Sequence, residues 1–412
     1  MTRSSSGLAD ERLMERLAAV LSDFHARAAT GPGVDEHASL PALQANWSEN
    51  FTQSEEFLGR TLAATTRDDI RRYVADFMTT KRELFERRIH AGRIRDGHGD
   101  LHAGSVCVMG RKLYLFDCIE FSARFRCADV AAEVAFLAMD LDHLGKADLS
   151  HAFVEAYVRR SQDHALLDLL DFYKCYRAYV RGKVLSFRLD APGVTGAESE
   201  LIEREAAAYF DLALAYARTA AAPPLLLVTM GLPASGKSTL ARAVAGRLVL
   251  VHLSSDVQRK RLVGLRPTEH QYLPYGQGLY SRSMSRRTYA ALKRHAARWL
   301  RTGQSVVVDA TCSQPADRAL FRQLARRTGA RFLLVHCAAD EDVLSARLAA
   351  RPRDPNSTSD ARLDLWRALR SAFAPPAEAP DVVTVDTTLS PRVTVDRVLR
   401  AIRTVCPSRK AA

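Results

Sequence analysis

The sequence predicts an α-rich first half joined to an α/β second half built on a parallel sheet. Three observations lead there. The 412 residues exceed what one hydrophobic core supports, so two domains are expected. From Leu225 onward, short apolar runs alternate with helical patterning, the texture of a parallel sheet covered on both faces. Before Leu225 the apolar residues recur mostly at helical spacing, and β character is confined to one short stretch.

Taken in order, Leu13 to Ala29 reads as an amphipathic helix ending before Gly31-Pro32-Gly33. Residues 30–50 are polar and rich in turn formers, and read as irregular. Asp68 to His90 carries Ile70, Tyr73, Val74, Phe77, Leu84 and Phe85 at helical spacing. The period then changes: Val106–Val108 and Lys112–Phe116 read as two short strands around a turn at Gly110. Residues 128–215 return to helical patterning, broken at Pro192-Gly193. The segment Ala220-Ala-Ala-Pro-Pro224 reads as a linker, which divides the chain into domains 1–220 and 221–412. After it, Leu225–Thr229 is a continuous apolar run suited to a buried parallel strand, and Lys237–Leu248 reads as the following helix. Further strands are expected over Leu248–Leu253, Ser305–Asp309, Arg331–Cys337 and Val382–Val385.

Composition narrows the function classes. A hydrophobic fraction of 47% suits a folded chain rather than a disordered one. No apolar run is long enough to cross a membrane, and the N-terminus lacks an apolar signal core. Seven cysteines without a CxxC pair fit free thiols in a reduced, cytoplasmic setting. The net charge of +12 would serve a nucleic-acid partner, but the arginines are spread along the chain and a phosphate-handling site explains several of them. A small-molecule partner is the preferred reading.

The segment Gly231-Leu232-Pro233-Ala234-Ser235-Gly236-Lys237-Ser238-Thr239 fits GxxxxGK[ST], between a strand and a helix, where that motif belongs. Its glycines let backbone N–H groups turn inward on phosphate oxygens, and the helix N-terminus adds positive potential. These nine residues are the expected ATP-binding loop, with Lys237 reaching the terminal phosphates and Ser238 a ligand for Mg²⁺. One strand later, Asp256 in Ser254-Ser-Asp-Val-Gln-Arg259 is placed to accept the proton of an attacking hydroxyl, and Arg259 to hold an anionic group. Both Asp256 and its serine neighbours are also good helix caps. Val306-Val-Val-Asp309 is an apolar strand ending in a carboxylate, the Walker B arrangement, so Asp309 is a second candidate for Mg²⁺. Arg347 and Arg351, four apart on one helix face, are candidate lid arginines closing over the transferring phosphate.

The motifs GLPASGKST, SSDVQRK and VVVDAT, with the Arg-rich segment, make residues 225–400 resemble the P-loop kinases that include gluconate kinase, chloramphenicol phosphotransferase, polynucleotide kinase and zeta-toxin proteins. That resemblance implies transfer of the ATP γ-phosphoryl group to a hydroxyl. The acceptor is read as a small molecule; a nucleotide-binding regulatory ATPase and a polynucleotide or nucleotide-sugar kinase are the rival readings. In the first half, His98-Gly-Asp100-Leu-His102 precedes the two short strands and Asp117 follows them, as in a protein-kinase-like catalytic core. With FDCIEF, ADVAAEVAFLAMDL and YKCYRAYVRGKV, this half resembles aminoglycoside phosphotransferase-like proteins, and the whole chain resembles bifunctional phosphotransferase/P-loop ATP-binding proteins. The resemblance implies an α-rich kinase-like C-lobe followed by an α/β P-loop NTPase domain with a parallel sheet. It implies that Asp100 orients a hydroxyl and Asp117 holds a metal. Ser105 stands where the family places a metal-binding Asn, and residues 1–80 contain no lysine for a phosphate-grasping lobe. The first half therefore reads as a C-lobe alone, with a degenerate second site.

Overall fold

The computed structural model describes residues 7–110, 112–220, 223–266, 269, 271, 276–350 and 363–405. The chain divides into two compact units, one of Glu11–Ala221 and one made up chiefly of Ala222–Ala412.

Along the first stretch run α1 (Gly7–Arg27), the single turn α2 (Pro32–Asp35), α3 (Leu40–Gln53), α4 (Ala64–Thr80) and α5 (Arg82–His90). Strands β1 (Ile94–Asp96), β2 (Val106–Met109) and β3 (Lys112–Leu115), the turn α6 (Ala123–Arg126) and strand β4 (Cys127–Asp129) follow. The unit closes with α7 (Val130–His143), α8 (Ala147–Ser161), α9 (Leu170–Phe187) and α10 (Gly196–Ala220). Helix α7 is buried at every residue from Val130 to Leu141 and packs against α8 and α9, so its apolar run has no polar face to show.

Three local expectations change. Residues 30–50 are not irregular: Ser39 caps α3 by accepting from the amide of Ala42 at 3.4 Å, and Pro41 lies in its first turn. Its buried face hides among polar residues. Trp47 stacks on Phe51 at 5.4 Å and meets Tyr176 and Tyr179 edge-on, while buried Asn50 accepts from Lys183 Nζ at 2.6 Å. The helix read over Asp68–His90 is two helices, broken at Lys81, whose φ of −108° and ψ of 15° leave the helical region. β1 and β4, unread in the sequence, form an antiparallel pair with Ile94 opposite Asp129. The β2–β3 hairpin pairs Val106 with Leu115, and Gly110 turns it at φ 57°.

The second unit is a five-stranded parallel sheet in the order β6-β7-β5-β8-β9, built from β5 (Leu225–Met230), β6 (Val251–Ser254), β7 (Val306–Asp309), β8 (Arg331–Ala338) and β9 (Val382–Asp386). Every residue of β5 and β7 is buried, which is why both read as unbroken apolar runs. Helices α11 (Lys237–Leu248) and α17 (Pro391–Val405) share a core with the sheet through Leu240, Val244, Val398 and Ile402. Helix α12 (Ser255–Arg261) follows β6 directly. Helices α13 (Arg282–Arg301) and α14 (Pro315–Thr328) also pack on the sheet, burying Trp299, Leu300 and Phe321. Helices α15 (Glu341–Ala350) and α16 (Leu363–Ser371) complete the unit. The strand expected from Leu248 starts at Val251, because α11 runs through Leu248 and ends on Val249 in a left-handed conformation. This helix-covered parallel sheet matches a P-loop NTPase domain. Among the described residues, no helix is long and apolar enough to cross a membrane.

Candidate active site

The central strand β5 delivers the chain into the glycine loop at its carboxyl end, and α11 opens at Lys237. A Cβ added to Gly231, whose φ is 143°, would lie 2.5 Å from the carbonyl oxygen of Cys337 on β8, so only glycine fits. Ala234 takes φ 67° and Gly236 φ 79°, so the loop turns twice through the left-handed region. The amide of Gly231 donates to Thr311 O at 3.2 Å, tying the loop to the segment after β7. Lys237 Nζ donates to Leu232 O at 2.7 Å, curling over the loop it is expected to serve.

Asp309 ends β7 next to β5, with Thr229 Oγ1 donating to its Oδ1 at 3.4 Å. His252 on β6 brings Nε2 to 3.6 Å from Asp309 Oδ2, and both side chains are almost fully buried. Burial alone would raise the Asp309 carboxyl. The nearby His252, the Ser238 hydroxyl and the charge of Lys237 outweigh it and hold the group below the usual carboxylate range. Ser238 and an ionised Asp309 therefore sit side by side, two hard oxygen donors of the kind Mg²⁺ takes. His252 was missed in the sequence; its only signal is a polar residue inside an apolar strand.

A cavity of about 520 Å³ opens beside the loop. Lys237, Ser238, Asp256, Arg259 and Asp309 all line it, so the structure brings these five expected site residues together. Ser254 caps α12 by accepting from the amide of Val257 at 3.5 Å, which leaves Asp256 one residue inside the helix and free of that task. Arg259 Nη1 donates to Asp256 Oδ1 at 2.9 Å, and its guanidinium lies 5.2 Å from the Tyr280 ring. The far wall carries Arg282, Ser285, Arg286 and Tyr289, which sequence reading did not single out. Their spacing places them on one face of α13.

Arg347 does not line this cavity. Its Nη2 donates to Thr387 O at 2.6 Å and its Nη1 reaches Ala234 O at 3.4 Å. It lines a separate cavity of about 290 Å³ with Ala234, Gly236, Thr239, Thr387 and Leu389. The expected lid arginine is thus held between the glycine loop and the backbone after β9. Arg351 lies outside the described residues.

In the first unit, the backbone of the HGDLH loop meets the chain after β3: Ile119 N donates to His98 O at 3.0 Å, and His98 Nε2 lies 2.9 Å from Phe116 O. Glu133 on α7 accepts from the amides of His98 at 2.6 Å and Gly99 at 2.7 Å, and its other oxygen meets His25 Nε2 at 2.5 Å. Burial would raise Glu133, but the His25 hydrogen bond and charge, with the loop amide, keep it low. Asp100 lies 3.7 Å from His102 Nε2. Ser105 is buried, its hydroxyl accepting from His102 N at 2.9 Å and donating to His102 O at 2.8 Å, so its oxygen serves the loop.

Residues 226–376 match the family model described as an AAA domain. An uncharacterized protein of Mycobacterium tuberculosis and its Mycobacterium bovis counterpart are each 33% identical over 370 residues, covering 90% of this chain and 72% of theirs. Among solved structures, a gluconokinase from Sinorhizobium meliloti is 20% identical, covering 44% of this chain and 93% of its own, with a TM-score of 0.33. The Mycobacterium tuberculosis APS kinase is 19% identical, covering 44% and 99%, also with a TM-score of 0.33. The glycine loop, the Asp309 strand end and the sheet order make Ala222–Ala412 a P-loop nucleotide-binding unit, and the chain as a whole belongs to the family of these mycobacterial proteins.

Proposed function

We propose that the second unit is a small-molecule kinase that transfers the γ-phosphoryl group of Mg·ATP to a hydroxyl. One observation carries this reading: a single cavity is lined by the phosphate-loop residues Lys237 and Ser238, by Asp309, and by the Asp256–Arg259 pair of the neighbouring strand end. ATP would lie along the glycine loop, with Lys237 leaving Leu232 O for the phosphates. Ser238 and Asp309 would hold Mg²⁺, which supplies charge neutralisation at the phosphoryl oxygens. His252 keeps Asp309 oriented and ionised. The acceptor oxygen forms a bond to the γ-phosphorus as the bond to the ADP oxygen breaks, and the hydroxyl proton passes to Asp256. Arg259 engages Asp256 Oδ1, which leaves Oδ2 to take that proton.

For the first unit, we read the HGDLH loop as an aminoglycoside phosphotransferase-like catalytic loop kept as a scaffold. Its support is the use of Ser105 within the loop itself.

Asp256→Asn tests the kinase reading. It should keep nucleotide binding and lose acceptor-dependent transfer by about 100-fold or more. Transfer at the parental rate would reduce Asp256 to a local helix residue, and ATP hydrolysis indifferent to any acceptor would favour a regulatory ATPase.

A further inference from the structure

The charges around the large cavity do not cancel where the acceptor would lie. Lys237 is committed to phosphate by its place in the loop, and Asp309 to the metal. Asp256 and Arg259 neutralise each other at 2.9 Å. Asp317 lines the cavity too, but it faces the α14 start, where the amide of Gln314 reaches it at 3.4 Å, and burial pushes its carboxyl up toward the neutral form. What remains is Arg282 and Arg286, on the same face of α13 and on the wall of the cavity. Neither forms an ion pair with a carboxylate among the described residues, so on this wall their charge is left for a ligand.

Two guanidinium groups four residues apart, with no carboxylate partner among the described residues, repel one another unless an anion lies between them. Their forked N–H donors match the oxygens of a carboxylate or phosphate. Ser285, between them on the same wall, adds a hydroxyl donor. The cavity volume of about 520 Å³ suits a metabolite-sized molecule.

We infer that the acceptor is a small hydroxy compound bearing an oxyanion, a carboxylate or phosphate held by Arg282 and Arg286 while its hydroxyl points to Asp256. This rests on the kinase reading of the same cavity, and the test separates the two. Thermal shifts of the full chain, saturated with Mg·AMPPNP so that the glycine loop is filled, would be measured against matched sets built on glycerol, erythritol and glucose. Each set contains the neutral polyol, its carboxylate, its phosphate ester and its amine. At least one carboxylate or phosphate should raise Tm by about 3 °C or more beyond its neutral counterpart. The Arg282→Gln/Arg286→Gln double variant should lose that increment and keep the Mg·AMPPNP shift, because both side chains are exposed and lie outside the loop. The carboxylate and phosphate arms tell the two anions apart. A preference for neutral or amine members, no anion-specific shift in any set, or a shift that survives the double variant would overturn the inference. ADP release with the bound anions tests the other reading: Arg-dependent binding without transfer leaves the anion site standing and removes the kinase.

Discussion

Gly231→Ala is the sharpest test of how the fold holds the phosphate loop. The new Cβ would lie 2.5 Å from Cys337 O, an atom of the backbone of β8 next to the central strand, and near Ser235 Oγ at 2.6 Å. A side-chain hydroxyl can move; a carbonyl inside a parallel ladder moves only with its strand. The backbone at φ 143° is also closed to alanine, so conformational strain of about 1–3 kcal/mol adds to an overpacking cost of similar size. The expected loss is therefore about 3 kcal/mol or more for the second unit. Gly246→Ala supplies the control: Gly246 lies within α11 with nothing inside 4 Å of its added Cβ, and that change should stabilise by about 0.5–1 kcal/mol. Urea unfolding in a Trp47→Phe background, where Trp299 and Trp366 report the second unit, measures both, and Mg·ATP calorimetry follows the loop. A Gly231→Ala protein as stable as its parent, binding nucleotide equally well, would refute the packing argument and the loop geometry with it.

Lys237→Ala should weaken Mg·ATP binding by about tenfold or more while changing stability by less than about 0.5 kcal/mol, since the side chain is only half-buried and stands at the edge of the phosphate site. Calorimetry and urea midpoints read the two arms. Burial, with the charge of Lys174, pulls His151 on α8 down to about 4, so the imidazole stays neutral in the fold while an unfolded chain protonates it near pH 6.5. Its contribution is complete above that pH and is lost as pH falls toward 4, up to about 3 kcal/mol, and His151→Gln should flatten the first unit's urea midpoint over that window.

The second unit was legible because its signals are local. Strand, glycine loop and helix follow one another without a break, and fully buried strands leave unbroken apolar runs such as Val306–Val308. The residues that went unread act across sequence. His252 matters only because β6 lies beside β7, and Arg282 and Arg286 only because α13 returns to the carboxyl ends of the strands. Arg347 also depends on a distant partner: helical spacing pairs it with Arg351, while its contact in the fold is with Thr387, just after β9. In the first unit, α3 escaped notice because its buried face includes Asn46 and Asn50, polar residues matched by Arg124 and Lys183 from distant segments. No window of a single sequence contains those partners.

The first unit invests heavily in holding a loop whose chemistry its own residues curtail. Arg88 donates to Asp129 at 2.6 and 2.7 Å and to Asp163 at 2.6 Å, all three nearly buried, and Glu133 pins the HGDLH backbone. Such networks are costly to break and keep a single geometry. Yet the chemical groups on the loop do not add up to a phosphate site. Asp100 and Asp117 are exposed carboxylates that repel phosphate, and Ser105 is spent inside the loop. The buried lysines are engaged elsewhere, Lys174 with Asp142 and Lys183 with Asn50. Asp117 also sits at φ 65°, a left-handed conformation that costs it about 1 kcal/mol relative to glycine. On the full chain, Mg·ATP calorimetry should therefore give one site per chain, removed by Lys237→Ala and untouched by Asp117→Ala. Asp117→Gly should stabilise the first unit by about 1 kcal/mol by releasing the strain. A second isotherm that survives Lys237→Ala and disappears with Asp117→Ala would show that the loop still carries metal and nucleotide.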